Sequence, residues 1–359
     1  MSDSTDGAKR TASRATSFDV AALARVSQSA VSRAFTPGAS IAKEKRDRVL
    51  EAARKLNYVP NSIASSLSTK RTNIVAVILG NLRNPFYVHV LEAFSRRLKG
   101  LGRQILVFTV EPGADSDDAI LDALRYQIDA IILTAAQIST RMTSICHQRG
   151  IPIVLFNRYI PGSDASGVRC DNVGGGRLIA EAFLAAGARS FAMITGDPRG
   201  TTSQDRVRGF VERLLEGGIR RAAIEEAPGL SSYDGAAAAV LALFGINDIM
   251  AMGAIDMLRG RLGLTAPRDM LVAGFDGILE ANREPYRLTT VRQPIDDMVE
   301  QTLALMHLDD PDTPIARGVD MPLPAQLVWG ETTPRPPGFA SAEARAATPR
   351  RRGPARSRN

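Results

Sequence analysis

The sequence predicts two architectures in one chain: a small all-α unit at the N-terminus, then a larger α/β unit built on doubly wound parallel sheets. Three observations carry that expectation. Residues 18–36, FDVAALARVSQSAVSRAFT, hold two short helical stripes joined by a tight turn. From Asn73 onward apolar strands alternate with helices, the order that βαβ units produce. The chain has 359 residues, 44% of them hydrophobic, too many for one small core and enough for two or three domains.

In the first helix Phe18, Val20, Leu23 and Ala24 fall roughly on one stripe and are expected inward. Ser27 can cap the second helix by accepting from a backbone N–H two or three residues on. There Val31 and Phe35, four apart, face the core, while Gln28, Ser29 and Arg33 face away. A third helix over about 43–56 turns Val49, Ala52, Ala53 and Leu56 inward. Two short helices with a tight turn make a helix-turn-helix, whose second helix enters the DNA major groove. Gln reads adenine there and Arg reads guanine. As a bare helical hairpin the pattern is common and serves packing equally well.

In the larger unit strands are expected at 74–80, 105–110, 130–135 and 152–157, with a helix over 86–100. A second run begins near Val173: helix 174–186, strand 191–196, helix 206–217 and strand 271–275. Ligands of such sheets bind outside the carboxyl ends of the strands. That rule selects Asn84 and Phe86 after the first strand, Asn157 at the end of the fourth, Arg206 at a helix start, Asn247 before a helix, and Asp276 at a strand end. A carboxylate, an amide and a guanidinium can fork onto vicinal hydroxyls or ring atoms. The alternatives are structural: Asn247 or its neighbour Asp248 capping a helix, and Phe86 filling core. A helix is expected over 234–244, leading straight into Asn247.

Charge is unevenly placed. Residues 1–73 carry 13 Lys and Arg against 6 Asp and Glu, and residues 334–359 carry 7 Arg against 1 Glu, in a chain of net charge +7. Basic ends on an acidic body fit a phosphate-binding end attached to a body that avoids DNA. Pro334, Pro336, Pro337 and Arg350–Arg352 predict a disordered tail. Two separated cysteines and three scattered histidines predict reduced thiols and no metal. No apolar run approaches a membrane span, and the first residues lack a secretory signal, so a cytoplasmic protein is expected. Gly174–Gly176 lacks the spacing of a nucleotide loop. No nucleophile, acid/base set or cofactor motif marks an enzyme.

The segment DVAALARVSQSAVSRAF, followed by LNYVPNSIASSL, resembles the DNA-binding region of the LacI/GalR family of regulators. Further motifs follow in the family's order: NPFY (84–87), FNR (156–158), DNVGGG (171–176), R-x-x-GF (206–210), ND-x-MAMGA (247–254), GFDG (274–277) and LTTVRQP (288–294). The resemblance implies a helix-turn-helix headpiece at 16–60 between a disordered tail at 1–15 and a hinge at 61–72. A two-lobed, periplasmic-binding-protein-like effector domain follows at 73–333, with lobe 1 over about 73–172 and 294–320, lobe 2 over about 173–293 and 321–333, and a tail at 334–359. It implies base contacts by Gln28, Ser29 and Arg33, phosphate contacts by Ser17 and Ser32, hinge-flanking roles for Tyr58 and Asn61, and a minor-groove wedge at Leu67, which opens the groove at the expense of unstacking. It also implies a homodimer on a palindromic DNA operator and a small-molecule effector, of sugar type, held by Arg206, Asn247 and Asp276, to which the strand-end rule adds Asn84, Phe86 and Asn157. The expected protein is then a repressor without a cofactor, the sign of its effector response unfixed. Two positions depart from the pattern: Arg25 stands where the turn usually has Gly, and Ala42 where the third helix usually has a Ser cap. The turn and strand that the resemblance implies before Asn247 find no counterpart either, so one strand of the second sheet is expected to be missing and that lobe distorted.

Overall fold

The computed structural model describes residues 15–36, 38–60, 72–111, 114–134, 138–198, 200–228, 242–310 and 313–337. Asn61 and Leu67, and nearly all of both expected tails, lie outside them. The chain divides into two compact units, one up to Thr72 and one from Asn73.

The first unit is three helices, α1 (Ser17–Ala24), α2 (Gln28–Phe35) and α3 (Lys43–Lys55). Thr16 and Asp19 cap α1 reciprocally: Asp19 N donates to Thr16 Oγ1, and Thr16 N donates to the Asp19 carboxylate at 2.8 Å. Ser27 caps α2, accepting from Ala30 N at 3.3 Å. The core is small and alanine-rich: Val20, Ala21, Ala24, Val31, Ala34, Val49, Ala52 and Ala53, edged by the Phe35 and Tyr58 rings 6.0 Å apart. Phe18 and Leu23 do not join it, being 67% and 50% exposed. The buried arc of α1 runs through Val20, Ala24 and Ala21, and at about 100° per residue Leu23 and Phe18 flank it on either side. Both departures noted above have structural consequences. Arg25 closes α1 in the left-handed conformation, φ 54°, ψ 52°. Ala42 occupies the N-cap of α3 without a side-chain hydrogen bond.

The second unit contains α4 (Pro85–Gly100), α5 (Asp117–Leu124), α6 (Thr140–Gln148), α7 (Asn172–Ala185), α8 (Thr201–Glu216), α9 (Asp248–Met257) and α10 (Ile295–Met306). Its strands are β1 (Ile74–Leu79), β2 (Gln104–Thr109), β3 (Ala130–Leu133), β4 (Ile153–Phe156), β5 (Ser166–Cys170), β6 (Phe191–Thr195), β7 (Ile224–Pro228), β8 (Ala242–Gly245), β9 (Leu271–Asp276), β10 (Thr289–Arg292), β11 (Asp320–Leu323) and β12 (Gln326–Val328). They form two six-stranded sheets, ordered β11-β5-β4-β3-β1-β2 and β12-β10-β9-β8-β6-β7. All pairings are parallel except β10 with β12. The chain passes between the sheets after β5, after β10 and after β11, and the last passage comes later than the sequence indicates: Met321–Leu323 still pair with β5.

The strand expected to be missing before Asn247 is present. β8 pairs with β6 on one side and β9 on the other, so Ala242, Leu243 and Phe244 belong to the centre of the second sheet rather than to a helix end. The misreading came from an Ala- and Leu-rich run whose composition suits a helix; burial on both faces makes the same residues a strand.

Gly174–Gly176 serves packing. A Cβ at Gly176 would lie 2.3 Å from Arg206 O, one at Gly209 2.0 Å from Val173 O, and one at Gly175 2.4 Å from the Phe275 ring. Those glycines let α7 and α8 approach backbone to backbone.

Arg25→Gly removes a left-handed side-chain penalty of about 1 kcal/mol, and Ala42→Ser adds a cap of about 1 kcal/mol. Each is expected to slow amide hydrogen exchange across the three-helix core of the full-length chain; unchanged protection would refute the assignment of strain and of the lost cap.

Candidate DNA-reading face and effector site

On α2 the buried positions Ala30, Val31 and Ala34 leave Gln28, Ser29, Ser32 and Arg33 on the exposed side. Local hydrogen bonds hold that face in shape. Gln28 Nε2 donates to Ser17 Oγ at 3.0 Å, Arg33 Nε donates to Ser29 O at 3.3 Å, and the Ser27 and Ser29 hydroxyls lie 2.9 Å apart. The structure thus gathers Ser17, Gln28, Ser29, Ser32 and Arg33, whereas Tyr58 is half-buried against the three-helix core.

In the second unit all six residues selected at strand and helix ends are buried: Asn84, Phe86, Asn157, Arg206, Asn247 and Asp276. Three of them meet. Asp276 ends β9 with φ +131°, a backbone region side-chain-bearing residues rarely adopt and one that costs on the order of 1–3 kcal/mol. Its carboxylate takes Arg206 Nη2 at 3.1 Å, Gln293 Nε2 at 2.7 Å and Asn84 Nδ2 at 3.3 Å. Asn84 also caps α4, accepting from Phe86 N at 3.0 Å. Arg206 lies in the second turn of α8, which starts at Thr201 rather than near 206. It donates Nε to Asn172 Oδ1 at 2.9 Å and Nη1 to Ile246 O at 2.5 Å, and its guanidinium stacks 3.7 Å from the Phe275 ring centre.

The other three stand apart from this knot. Asn247 caps α9, accepting from Met250 N at 2.9 Å. Phe86 is wholly buried against the Tyr87 ring, its centroid 5.3 Å away. Asn157 is left-handed at φ 60°; its carbonyl accepts from Thr202 Oγ1 at 2.9 Å, and its Oδ1 is buried without a hydrogen bond among the described residues. Gln293 and Asn172 were not selected from sequence, although both lie in the family-like motifs LTTVRQP and DNVGGG. They follow the carboxyl ends of β10 and β5, two strands not expected from the sequence.

Asp248 lies beside the knot, fully buried. Its Oδ1 is 2.5 Å from Thr290 Oγ1 and its Oδ2 accepts from Ile278 N at 2.9 Å. Burial, aided by the Asp276 charge, pushes its carboxyl up from 3.8 to about 7, against the pull of those hydrogen bonds. Burial also raises Asp276, while Arg206, Asn84 and Gln293 pull it back. Among the described residues no group of three His, Cys, Asp or Glu side chains could hold a metal ion, and no helix is long and apolar enough to cross a membrane.

Comparison with known proteins agrees with both units. Residues 18–61 match the model of bacterial regulatory proteins of the lacI family, and residues 180–333 match the periplasmic binding protein-like domain. The HTH-type transcriptional regulator DegA of Bacillus subtilis is 30% identical over 79% of this chain and 88% of its own length. The ribose operon repressor of Halalkalibacterium halodurans is 28% identical over 88% of this chain and 96% of its own length. Among solved structures, the lac repressor dimer bound to operator and an anti-inducer superposes with a TM-score of 0.78 at 22% identity, covering 90% of this chain and 100% of that one, a likeness of fold. A complex of the regulator CelR with cellobiose superposes with a TM-score of 0.64 at 26% identity, covering 89% of this chain and 100% of that one.

A helix-turn-helix with a polar exposed second helix, joined to a two-sheet ligand-type domain, defines a DNA-binding transcriptional regulator rather than an enzyme. The chain belongs to the lacI family of bacterial regulatory proteins.

The raised Asp248 sets a pH dependence with a definite sign. A carboxyl whose folded pKa lies above its unfolded value adds stability below about pH 4 that is lost as pH rises through about 7. Asp248→Asn, neutral throughout, is expected to gain melting temperature relative to the unaltered protein as pH is raised from 4 to 8. A difference that stays flat with pH would overturn this protonation assignment.

Proposed function

We propose that this regulator is a cytoplasmic homodimeric repressor whose affinity for a palindromic operator is changed by a sugar-like effector bound between its two lobes. The observation that carries the effector half is the convergence on one strained, buried carboxylate: Asn84 from the first lobe, Arg206 from the second and Gln293 from a passage between them all bond Asp276. Carboxylate, guanidinium and amide together match the donor and acceptor pattern of a polyhydroxylated ligand. Asn157 adds an acceptor in the first lobe, Asn247 its side-chain amide group in the second, and Phe86 an apolar wall. The names of two relatives, a ribose operon repressor and a regulator crystallised with cellobiose, favour the same class.

On DNA, Gln28, Ser29 and Arg33 read base edges in the major groove and Ser17 and Ser32 hold phosphates. Tyr58 and Asn61 flank a hinge over 61–72, from which Leu67 wedges the minor groove, paired with its dimer mate. Effector binding is coupled to the hinge through the relative position of the lobes, and the coupling is reciprocal.

Operator selection from random DNA, followed by gel shifts with a panel of mono- and disaccharides, tests the whole reading and gives the sign of the response. Arg33→Ala is expected to relax one base position at about 1–3 kcal/mol, and Leu67→Ala to weaken specific binding far more than nonspecific binding. Equal loss on both kinds of DNA would reject the wedge. Asn157→Ala, which removes a buried acceptor that has no hydrogen bond among the described residues, is expected to keep operator binding while weakening the sugar response; an unchanged response would remove Asn157 from the effector site.

A further inference from the structure

Where α8 meets the first lobe, the seam contains a carboxylate that none of the functions above uses. Asp205 is 2% exposed, although it lies on the surface α8 turns toward the other lobe. Its one short contact comes from its own helix, Arg208 Nη2 to Oδ1 at 2.7 Å. The first lobe offers only loose ones. Tyr159 Oη stands 3.4 Å from Oδ1, and Arg169 Nη1 stands 3.6 Å from Oδ2, which accepts no hydrogen bond from the described residues. Charge-assisted hydrogen bonds are usually 2.7–2.9 Å long.

Arg169 is occupied elsewhere. It binds Asp320 with two bonds of 2.8 Å and stacks 4.5 Å from the Tyr159 ring centre. The cation nearest Asp205 across the seam is therefore already neutralised, and Asp320 brings a second negative charge. The neighbouring contacts differ. Thr202 Oγ1 donates to Asn157 O at 2.9 Å and Thr201 Oγ1 to Tyr159 O at 3.2 Å, ordinary hydrogen bonds that favour closure. Closing the seam thus strips water from the Asp205 carboxylate and returns little for it, and stripping a carboxylate of water without full pairing costs several kcal/mol.

We propose that Asp205 is a counterweight to lobe closure: it biases the free protein toward the open arrangement, and protonation of its carboxylate from solvent releases that bias. The charged and titratable groups facing it are Arg208 from α8, Arg169 from β5, Asp320 from β11 and Tyr159 after β4. Burial raises the Asp205 carboxyl despite Arg208 and Arg169, which agrees with the geometry. An acid with a higher pKa in the closed arrangement makes closure easier as pH falls. Effector affinity, through closure, then becomes proton-linked, so the device rests on the reading that the lobes close on an effector.

The test uses the free full-length protein, so that it does not depend on an effector or an operator being found. Spin labels at Ser144→Cys on α6 and Glu212→Cys on α8, both exposed, report the distance between lobes; Cys146 and Cys170 are buried and stay unlabelled. Labelled protein is diluted into unlabelled protein so that each distance lies within one protomer. The share of the shorter distance is expected to rise several-fold as pH falls from 7.5 to 5. Asp205→Asn is expected to show the raised share already at pH 7.5 and to lose the part of the pH response due to Asp205; Asp205→Glu is expected to restore it. A lower closed share in Asp205→Asn would show a latch instead of a counterweight and overturn the proposal. So would an unaltered distance distribution, or a pH response identical with and without the acid.

Discussion

The Arg206–Asp276 ion pair is the interaction on which the second unit depends. Both groups are almost wholly out of water, where a bare ion costs several kcal/mol, and their attraction offsets that only if the remaining donors and acceptors are also satisfied. They are. Asn172, the Ile246 carbonyl and the Phe275 face take up the rest of the guanidinium, and Gln293 and Asn84 the rest of the carboxylate. Satisfying Arg206 requires α8 close to α7 and Phe275 close to both. That requirement explains Gly176 and Gly209 where the helices touch, and Gly175 under the Phe275 ring. Motifs that look separate in the sequence, DNVGGG, R-x-x-GF and GFDG, are thus parts of one packing solution around one buried charge.

The headpiece follows the opposite logic. Its core is mostly alanine, so the helices sit close and little apolar area is buried, and Phe18 and Leu23 remain outside. A unit of this size has a small reserve of stability. A left-handed Arg25 and an uncapped α3 therefore consume a larger fraction of that reserve than they would in the α/β unit. The exposed face of α2 is unaffected, since Gln28 and Arg33 are positioned by Ser17 and by the Ser29 carbonyl rather than by the core. Reading residues and fold-stabilising residues are different sets here.

What the sequence revealed follows from the range of the signal. The three headpiece helices and the long first strands of each sheet were legible because 3.6- and 2-residue periodicities are local. β5, β7, β10, β11 and β12 were not: SGVRC, IEEAP, TTVR, DMPL and QLV mix polar residues, Gly or Pro among the apolar ones, so no apolar run marks them. β8 was misread because two-sided burial depends on its neighbours β6 and β9, which lie far away in sequence. At the site, the strand-end rule found Asn84, Arg206 and Asp276, and missed Gln293 and Asn172 because β10 and β5, the strands they follow, went unrecognised. Asn247 and Phe86 were selected by the same rule, yet one caps a helix and the other is packed in the interior, the alternatives that strand-end chemistry alone could not separate.

The seam between the lobes joins these points. Its polar contacts include Thr202 to Asn157, Thr201 to Tyr159, and Asn84 to Asp276, and the buried apolar residues of the two sheets form one continuous cluster beside them. With three chain passages connecting the sheets and each lobe holding its own sheet, relative motion at the seam leaves both sheets intact, the condition for a hinge rather than a local unfolding. Each of those hydrogen bonds contributes about 1 kcal/mol to closure, and the under-paired Asp205 carboxylate works against them. The closer the open and closed arrangements lie in free energy, the smaller the differential affinity a ligand needs to move the population. The weak pairing of Asp205 is then a condition for a ligand-sensitive protein as much as a defect in packing.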